Sequence, residues 1–528
     1  MTTDRRNTAS TRASYPESVP LGFATATAVW IVAFVGRLPS NSFGEGWLLA
    51  LLLGVMVVGA IFAGWHGGSA RNAVKTLMVA GLVNVLLVGS VVSAASGPQV
   101  TADPNPIKVS ALVWIPGSLA ASAVIGLVGG WIGARFASSV VAEETRLDLA
   151  WRDIRACGWQ AMVILVTTFV LISVGAIVTS AEVGLAVPDW PRSYGYNMFL
   201  FPFTKMVGGI FYEHAHRLIG SLVGLQTLTL AIWIWAPRRR GVSAVLRVGQ
   251  GQCATCAHDL RGADHDRCPE CGEPAESRGP KTPANDDLVR RLLFIRRLAI
   301  VALILVIIQG MFGGFRVVLV NSLGHDPALA FAVAHATTAQ LFVLAVLLLW
   351  WKLDESTTSS TPIVARRPVR SVDAIIAILL TGFIVLQTIA GAILRHFGYD
   401  WALLAHLLGA VVVTLLALTV VTAIMSAGAE GRLRRVGLAL MVASVLQILL
   451  GAVAWWATTR IDRFDQVASP WILALTATHV VNGALVLSLS WVSALELSRM
   501  APIHRRRGRI QRAESLQSPL RAHEGVAG

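Results

Sequence analysis

The sequence predicts an all-α polytopic membrane protein of about twelve transmembrane helices. The last eight are expected as two pseudo-repeated four-helix bundles, with a small cytoplasmic zinc ribbon inserted in the first. Three observations predict this. The 528 residues are 55% hydrophobic and only 14% charged, with the apolar residues gathered into runs long enough to cross a bilayer. One histidine falls near the same end of four later spans, at His216, His335, His406 and His479. Four cysteines form a single C-x2-C-x11-C-x2-C cluster, and the fifth, Cys157, stands alone.

The net charge of +14 sits in short loops and tails, where membrane topology alone requires it, so it does not imply nucleic acid. With the N-terminus inside, the inner segments collect Arg5, Arg6, Arg12, Arg71, Lys75, Arg238 to Arg240, Arg366, Arg367 and Arg505 to Arg507. The outer loops are sparsely basic, with Arg192, Lys205, Arg395, Arg460 and Arg463 as the main exceptions. That bias predicts a bacterial-type cytoplasmic (inner) membrane protein with both termini cytoplasmic. No small-residue cleavage site follows the first apolar run, so the first span is read as uncleaved.

Residues 1–150 hold spans near 21–36, 46–64, 76–95 and 110–134, with no acid, base or histidine in their cores. Glycines and Pro116 permit bends and close packing, and no chemistry is assigned there. Residues 151–352 are read as the first four-helix half, with spans near 158–181, 207–236, 295–319 and 330–351 and a hydrophilic insertion over 240–287. Residues 353–497 form the second half, with spans near 372–394, 401–427, 434–457 and 471–495, and 498–528 a basic cytoplasmic tail.

His216 and His335 are 119 residues apart, and His406 and His479 are 73 apart. Removing the insertion makes the separations nearly equal, the arithmetic of a duplicated four-helix unit. VGAIV at 174–178 echoes AGAIL at 390–394, and Gln309-Gly313, Gln387-Gly391 and Gln447-Gly451 repeat one Gln-x-x-x-Gly spacing, read as helix packing. Two histidines on neighbouring helices can clamp a flat macrocycle from both sides, and each half offers one such pair. Only the first half adds a carboxylate, Glu213, one helical turn from His216. An ionisable group inside a span is costly and is a functional candidate by default. Arg217 is read equally as a partner of an anionic ligand group or of Glu213, and as snorkelling to the headgroups. His214 and His396 are expected to be solvated near the outer surface.

Cys253, Cys256, Cys268 and Cys271 supply four thiolates in two close pairs, the pattern of a structural zinc ribbon. A redox thiol group is the alternative. The ribbon hangs on the inner side, away from the histidines, and is expected to serve assembly or partner contact.

YEHAHRLIGSLVGL, preceded by VGLAVPDWPRSYG and followed later by GAILRHFGYD, LLAHLLGA and THVVNGALVL, resembles the haem A synthase family over about residues 158–497. The resemblance implies oxidation of a methyl group of haem O to a formyl group, giving haem A for cytochrome oxidase. It implies haem b in the second half with His406 and His479 as axial ligands. In the first half it implies haem O between His216 and His335, Arg217 as a further substrate contact and Glu213 as catalytic carboxylate. Haem O synthase, cytochrome oxidase assembly factors, membrane lipid and a second copy of the chain are the expected partners. The cysteine pair that some members carry in the outer loop is absent from PDWPRSYGYN, and Asp189 and Trp190 are expected to shape that loop. The alternatives are a haem b electron carrier, which has no need of Glu213, and a haem transporter or chaperone with exchangeable ligation.

Overall fold

A computed structural model describes residues 16–38, 44–87, 111–137, 146–236, 241–260, 267–272, 283–357, 367–460 and 469–501. Arg5, Arg6, Arg12, Arg238 to Arg240, Arg366, Arg463, His265, the linker around 273–282 and the basic tail beyond 501 lie outside the described residues.

Among the described residues thirteen α-helices carry the fold. They are α1 (Ser18–Gly36), α2 (Glu45–Gly67), α3 (Ala70–Leu87), α4 (Ala111–Ala134), α5 (Arg146–Ser180), α6 (Gly208–Trp235), α7 (Gly241–Gly249), α8 (Pro283–Leu323), α9 (His325–Thr357), α10 (Ser371–Phe397), α11 (Asp400–Ser426), α12 (Gly431–Arg460) and α13 (Pro470–Met500). Eleven are long and apolar enough to cross a membrane, all but α3 and the short α7. The third expected span, 76–95, is described only to Leu87, and α3 carries Arg71 and Lys75 in its first turns. The chain is therefore an all-α protein of multi-pass membrane character. Helices are what such a sequence can form, because a backbone surrounded by lipid must satisfy its hydrogen bonds within its own segment. Leucine, valine and tryptophan cover the outward faces, as at Leu112, Trp114, Leu415 and Val442.

The described residues fall into two compact units. One runs to residue 360 and includes 456–481; the other holds 361–455 and 482 onward. In the first unit, α5, α6, α8 and α9 pack as a closed ring of four, α5 touching α6 and α9, and α8 touching the same two. The leading helices pack among themselves through glycine: a Cβ added to Gly129 of α4 would stand 2.7 Å from the Ala60 Cβ of α2, and one added to Gly126 would stand 2.8 Å from the Val74 Cα of α3. Helix α1 joins this group to the ring. Thr27 bonds Thr167 of α5 at 3.1 Å and accepts from Gln226 of α6 at 3.1 Å. Phe34 stacks on Phe211, and Arg152 pairs with Glu17 at 2.7 Å.

In the second unit α10 packs on α11, Gly437 of α12 faces Ile424 and Met425 of α11, and Asn482 of α13 donates to the Ala443 carbonyl of α12 at 2.9 Å. Thr381 of α10 bonds Ser490 of α13 at 3.1 Å, completing a second ring of four.

A loop over 181–207 covers one end of the first ring. It contains a two-residue hairpin, β1 (Arg192–Ser193) with β2 (Tyr196–Asn197), turned at Tyr194 and Gly195, both with positive φ. That combination suits the right-handed twist of a hairpin. The Asp189 carboxylate accepts the N–H groups of Tyr194 at 2.6 Å and Gly195 at 2.7 Å, and Tyr194 donates to the Ala186 carbonyl at 2.5 Å. Trp190 lies on the bare backbone at Gly314 of α8, where a Cβ would meet its ring.

Candidate functional site

Under this loop, α6 presents Glu213, His214, His216 and Arg217 within its first turns. Glu213 is buried, 4% exposed. One carboxylate oxygen accepts the Val187 N–H of the loop at 2.8 Å, and the other accepts from Arg217 at 2.6 Å. Arg217 spends three further donors on the loop as well, reaching the Asp189 carbonyl at 2.7 Å, the Val187 carbonyl at 2.9 Å and the Arg192 carbonyl at 3.1 Å. It therefore clamps the loop to the helix and keeps Glu213 in place. Tyr194 lies in the same cap. Burial raises its phenol above the usual range, and the charges of Glu213 and Asp189 add to this, so it stays neutral.

His216 and His335 face each other with ring centroids 6.2 Å apart and planes at 75°. A metal–imidazole bond is about 2 Å long, and the ring centre lies about 1 Å further on, so two axial imidazoles on one metal stand about 6 Å apart. The pair fits that spacing. Each ring sits against a glycine of the neighbouring helix. A Cβ on Gly175 of α5 would stand 2.8 Å from the His216 Cε1, and one on Gly313 of α8 would stand 3.0 Å from the His335 Cε1. The His335 Nδ1 bonds the Gln309 carbonyl at 2.9 Å, one turn before Gly313. That bond fixes the proton on Nδ1 and leaves the Nε2 lone pair for a ligand, as second-shell carbonyls do at metal sites. The Gln309 amide touches the same Nε2 at 3.3 Å and must give way when a ligand binds.

The second unit repeats this arrangement. The His406 Nδ1 bonds the Gln387 carbonyl at 3.2 Å, and a Cβ on Gly391 would stand 2.9 Å from the His406 Cε1. The Gln387 amide also donates to the His406 carbonyl at 2.6 Å. His479 lies on α13 within the 456–481 stretch of the first unit. At two of the three Gln-x-x-x-Gly repeats the spacing therefore does more than pack helices: the Gln309 and Gln387 carbonyls with Gly313 and Gly391 set the His335 and His406 rings, whereas Gln447 accepts from Asn482.

Two residues differ from expectation or were missed. His214, expected to be solvated, is fully buried; its Nδ1 lies 3.2 Å from the Ser193 hydroxyl and its ring packs on Phe201. The loop that folds over α6 removes it from solvent, a tertiary effect that spacing along one helix does not carry. Arg316 of α8, one turn beyond Gly313, rests against Gly184 of the loop within electrostatic reach of Glu213. A lone arginine inside a long apolar span was the available signal.

The four cysteines lie outside the helices. Their Sγ atoms are all within 4.8 Å of one another, with Cys253 and Cys271 3.6 Å apart and Cys256 and Cys268 3.5 Å apart. They are positioned to bind a metal ion; with zinc–sulfur bonds of about 2.3 Å a tetrahedron has sulfurs nearly 4 Å apart, which suits zinc. Both pairs turn alike. Ala257 and Gly272, each just after the second cysteine of its pair, have positive φ and donate to the carbonyls of Cys253 and Cys268. Burial pushes the Cys268 thiol up, but the N–H groups of Cys271 and Glu270 outweigh it and bring it down to about 7. Arg247 of α7 ties the cluster to the helices through the carbonyls of Ala254 and Thr255.

No family model matches this chain, and no curated protein and no solved structure matches it. Fold and site define it as an all-α protein of multi-pass membrane character, with four cysteines positioned to bind a metal ion and a pair of facing histidines one helical turn from a buried carboxylate.

Proposed function

We propose that this chain is a haem A synthase-like membrane oxidoreductase, oxidising a methyl group of haem O to a formyl group. The observation that carries the reading is the His216–His335 pair, spaced for axial ligation and set one helical turn from Glu213. Taking a methyl group to a formyl group, –CH3 + H2O → –CHO + 4 H+ + 4 e−, draws its oxygen from water and passes its electrons to an acceptor outside the chain. Glu213, kept from water by the loop, is a carboxylate placed to take a proton beside the substrate. Arg217 holds that carboxylate and the loop in register.

Haem b is assigned to the second half, where the setting of His406 supports ligation; His479 is its partner by the sequence repeat alone. When bound, such a haem supplies one-electron transfer. Zinc is assigned to the cysteine cluster as a closed, non-catalytic site, on the inner side of a cytoplasmic membrane.

The test is expression in cells that make haem O, followed by extraction and chromatography of the haems. Haem A is expected with the unaltered chain and is expected to vanish with Glu213→Ala. Undiminished haem A in that variant removes Glu213 from the chemistry, and no haem A from either chain removes the enzyme reading.

A further inference from the structure

We propose that Arg316 receives a carboxylate of the bound macrocycle and so decides which edge of it faces Glu213. This assignment rests on the haem reading above and extends it to substrate orientation.

A charged side chain inside a membrane span costs several kcal/mol unless something compensates it. Two arginines stand near Glu213, and they are used differently. Arg217 gives four of its five donors to three loop carbonyls and the Glu213 carboxylate. The Arg316 guanidinium makes no hydrogen bond among the described residues, and it is only partly buried. The acid that acts on it electrostatically is Glu213, whose two oxygens are already held by Arg217 and the Val187 N–H. A fork of five N–H donors is thus left beside the facing histidines.

The anion such a fork suits best is planar and bidentate, a carboxylate. Its position is fixed from two sides. Gly313, one turn earlier on the same helix, backs the His335 ring, and Gly184 of the loop closes on the guanidinium. A ligand held by the His216–His335 pair therefore meets Arg316 at its rim. Haems of the protoporphyrin type carry propionates on one edge only, and each propionate shares its pyrrole with a methyl group. Seating that edge on Arg316 brings a methyl beside a propionate toward Glu213 and turns the other edges away. Orientation is then set by one salt bridge.

The test compares two probes on the purified, haem-containing full chain: iron protoporphyrin IX and its dimethyl ester, which has the same ring without the acids. Binding is read as the Soret change that disappears in His335→Ala. The unaltered chain is expected to favour the free acid about tenfold or more, the range of a charge-assisted hydrogen bond. Arg316→Gln is expected to abolish that preference, and Arg316→Lys to keep part of it. Equal binding of acid and ester by the unaltered chain, or a preference that survives Arg316→Gln, overturns the assignment while leaving the histidine site standing. If neither probe gives a His335-dependent change, the haem reading itself falls and takes this one with it. Should Arg316→Gln fail to fold, the comparison on the unaltered chain together with Arg316→Lys still decides: an undiminished preference in the lysine variant overturns the assignment, and a reduced one supports it.

Discussion

Glu213 is a carboxylate that the fold has gone to some length to keep. Two donors from different parts of the chain, the Val187 N–H and the Arg217 guanidinium, hold it under the loop. Cutting it back to alanine strands a buried N–H and an arginine, at about 1–3 kcal/mol for each unsatisfied group. A better test of chemistry is Glu213→Gln, whose amide oxygen can still accept from one of the donors. That variant is expected to fold, with an unchanged thermal midpoint within a few degrees, and to give no haem A on extraction. Retained haem A would mean that the negative charge is not used. Glu213, His216 and His335 were legible in the sequence because charge and imidazole are rare inside apolar spans. Arg316 carries the same signal, but nothing on α8 alone says that it lies beside α6. The burial of His214 was illegible for a related reason: the loop over it is placed by contacts far along the chain, Asp189 to Tyr194 and Trp190 to Gly314.

At the scale of helices, one device recurs. A carbonyl and a glycine one turn apart on one helix set the ring of a histidine on the next, at Gln309, Gly313 and His335 and again at Gln387, Gly391 and His406. The repeat was visible as Gln-x-x-x-Gly, but its meaning was not. The working groups are a backbone oxygen and the lack of a side chain, neither of which the identity of glutamine advertises. Gly391→Ala should therefore disturb the ligand more than the fold. An added methyl within 2.9 Å of the His406 Cε1 pushes the ring off its axis, at about 1–3 kcal/mol of local strain. The expected outcome is a weakened or high-spin haem b signal in protein recovered at normal yield. An unaltered low-spin spectrum would separate the glycine from ligand setting. Eleven of the spans were legible from hydropathy; the one expected over 76–95 is described only to Leu87, where α3 carries Arg71 and Lys75 in its first turns.

For the molecule as a whole, the four-cysteine cluster and the histidine sites are expected to be independent. The cluster's metal-binding geometry comes from its own turns at Ala257 and Gly272, and its tie to the helices runs through Arg247. Cys253→Ser with Cys256→Ser should lose bound zinc by elemental analysis while the haem spectra persist, and a coincident loss of haem would show that the two are coupled. The leading helices stand in the opposite position. Sequence alone left residues 1–150 as a region without a role, because their composition is that of any lipid-facing helix. Packing gives α1 a structural one: Thr27 shares a buried hydrogen-bond network with Thr167 and Gln226, Phe34 stacks on Phe211 two residues before Glu213, and Glu17 pairs with Arg152. Interhelical hydrogen bonds in membranes contribute about 0.6–2 kcal/mol each, so the seam is worth a few kcal/mol in polar terms, with the apolar packing added. Removing residues 1–145 uncovers the faces of α5 and α6 that carry Thr167, Gln226 and Phe211. The truncated chain is expected to lose thermal stability and to lose binding at the His216–His335 pair before any change in the second half, because α6 carries both the seam and the site. A truncated chain with unaltered porphyrin binding and melting would make the leading region a passenger instead of a wall of the first bundle.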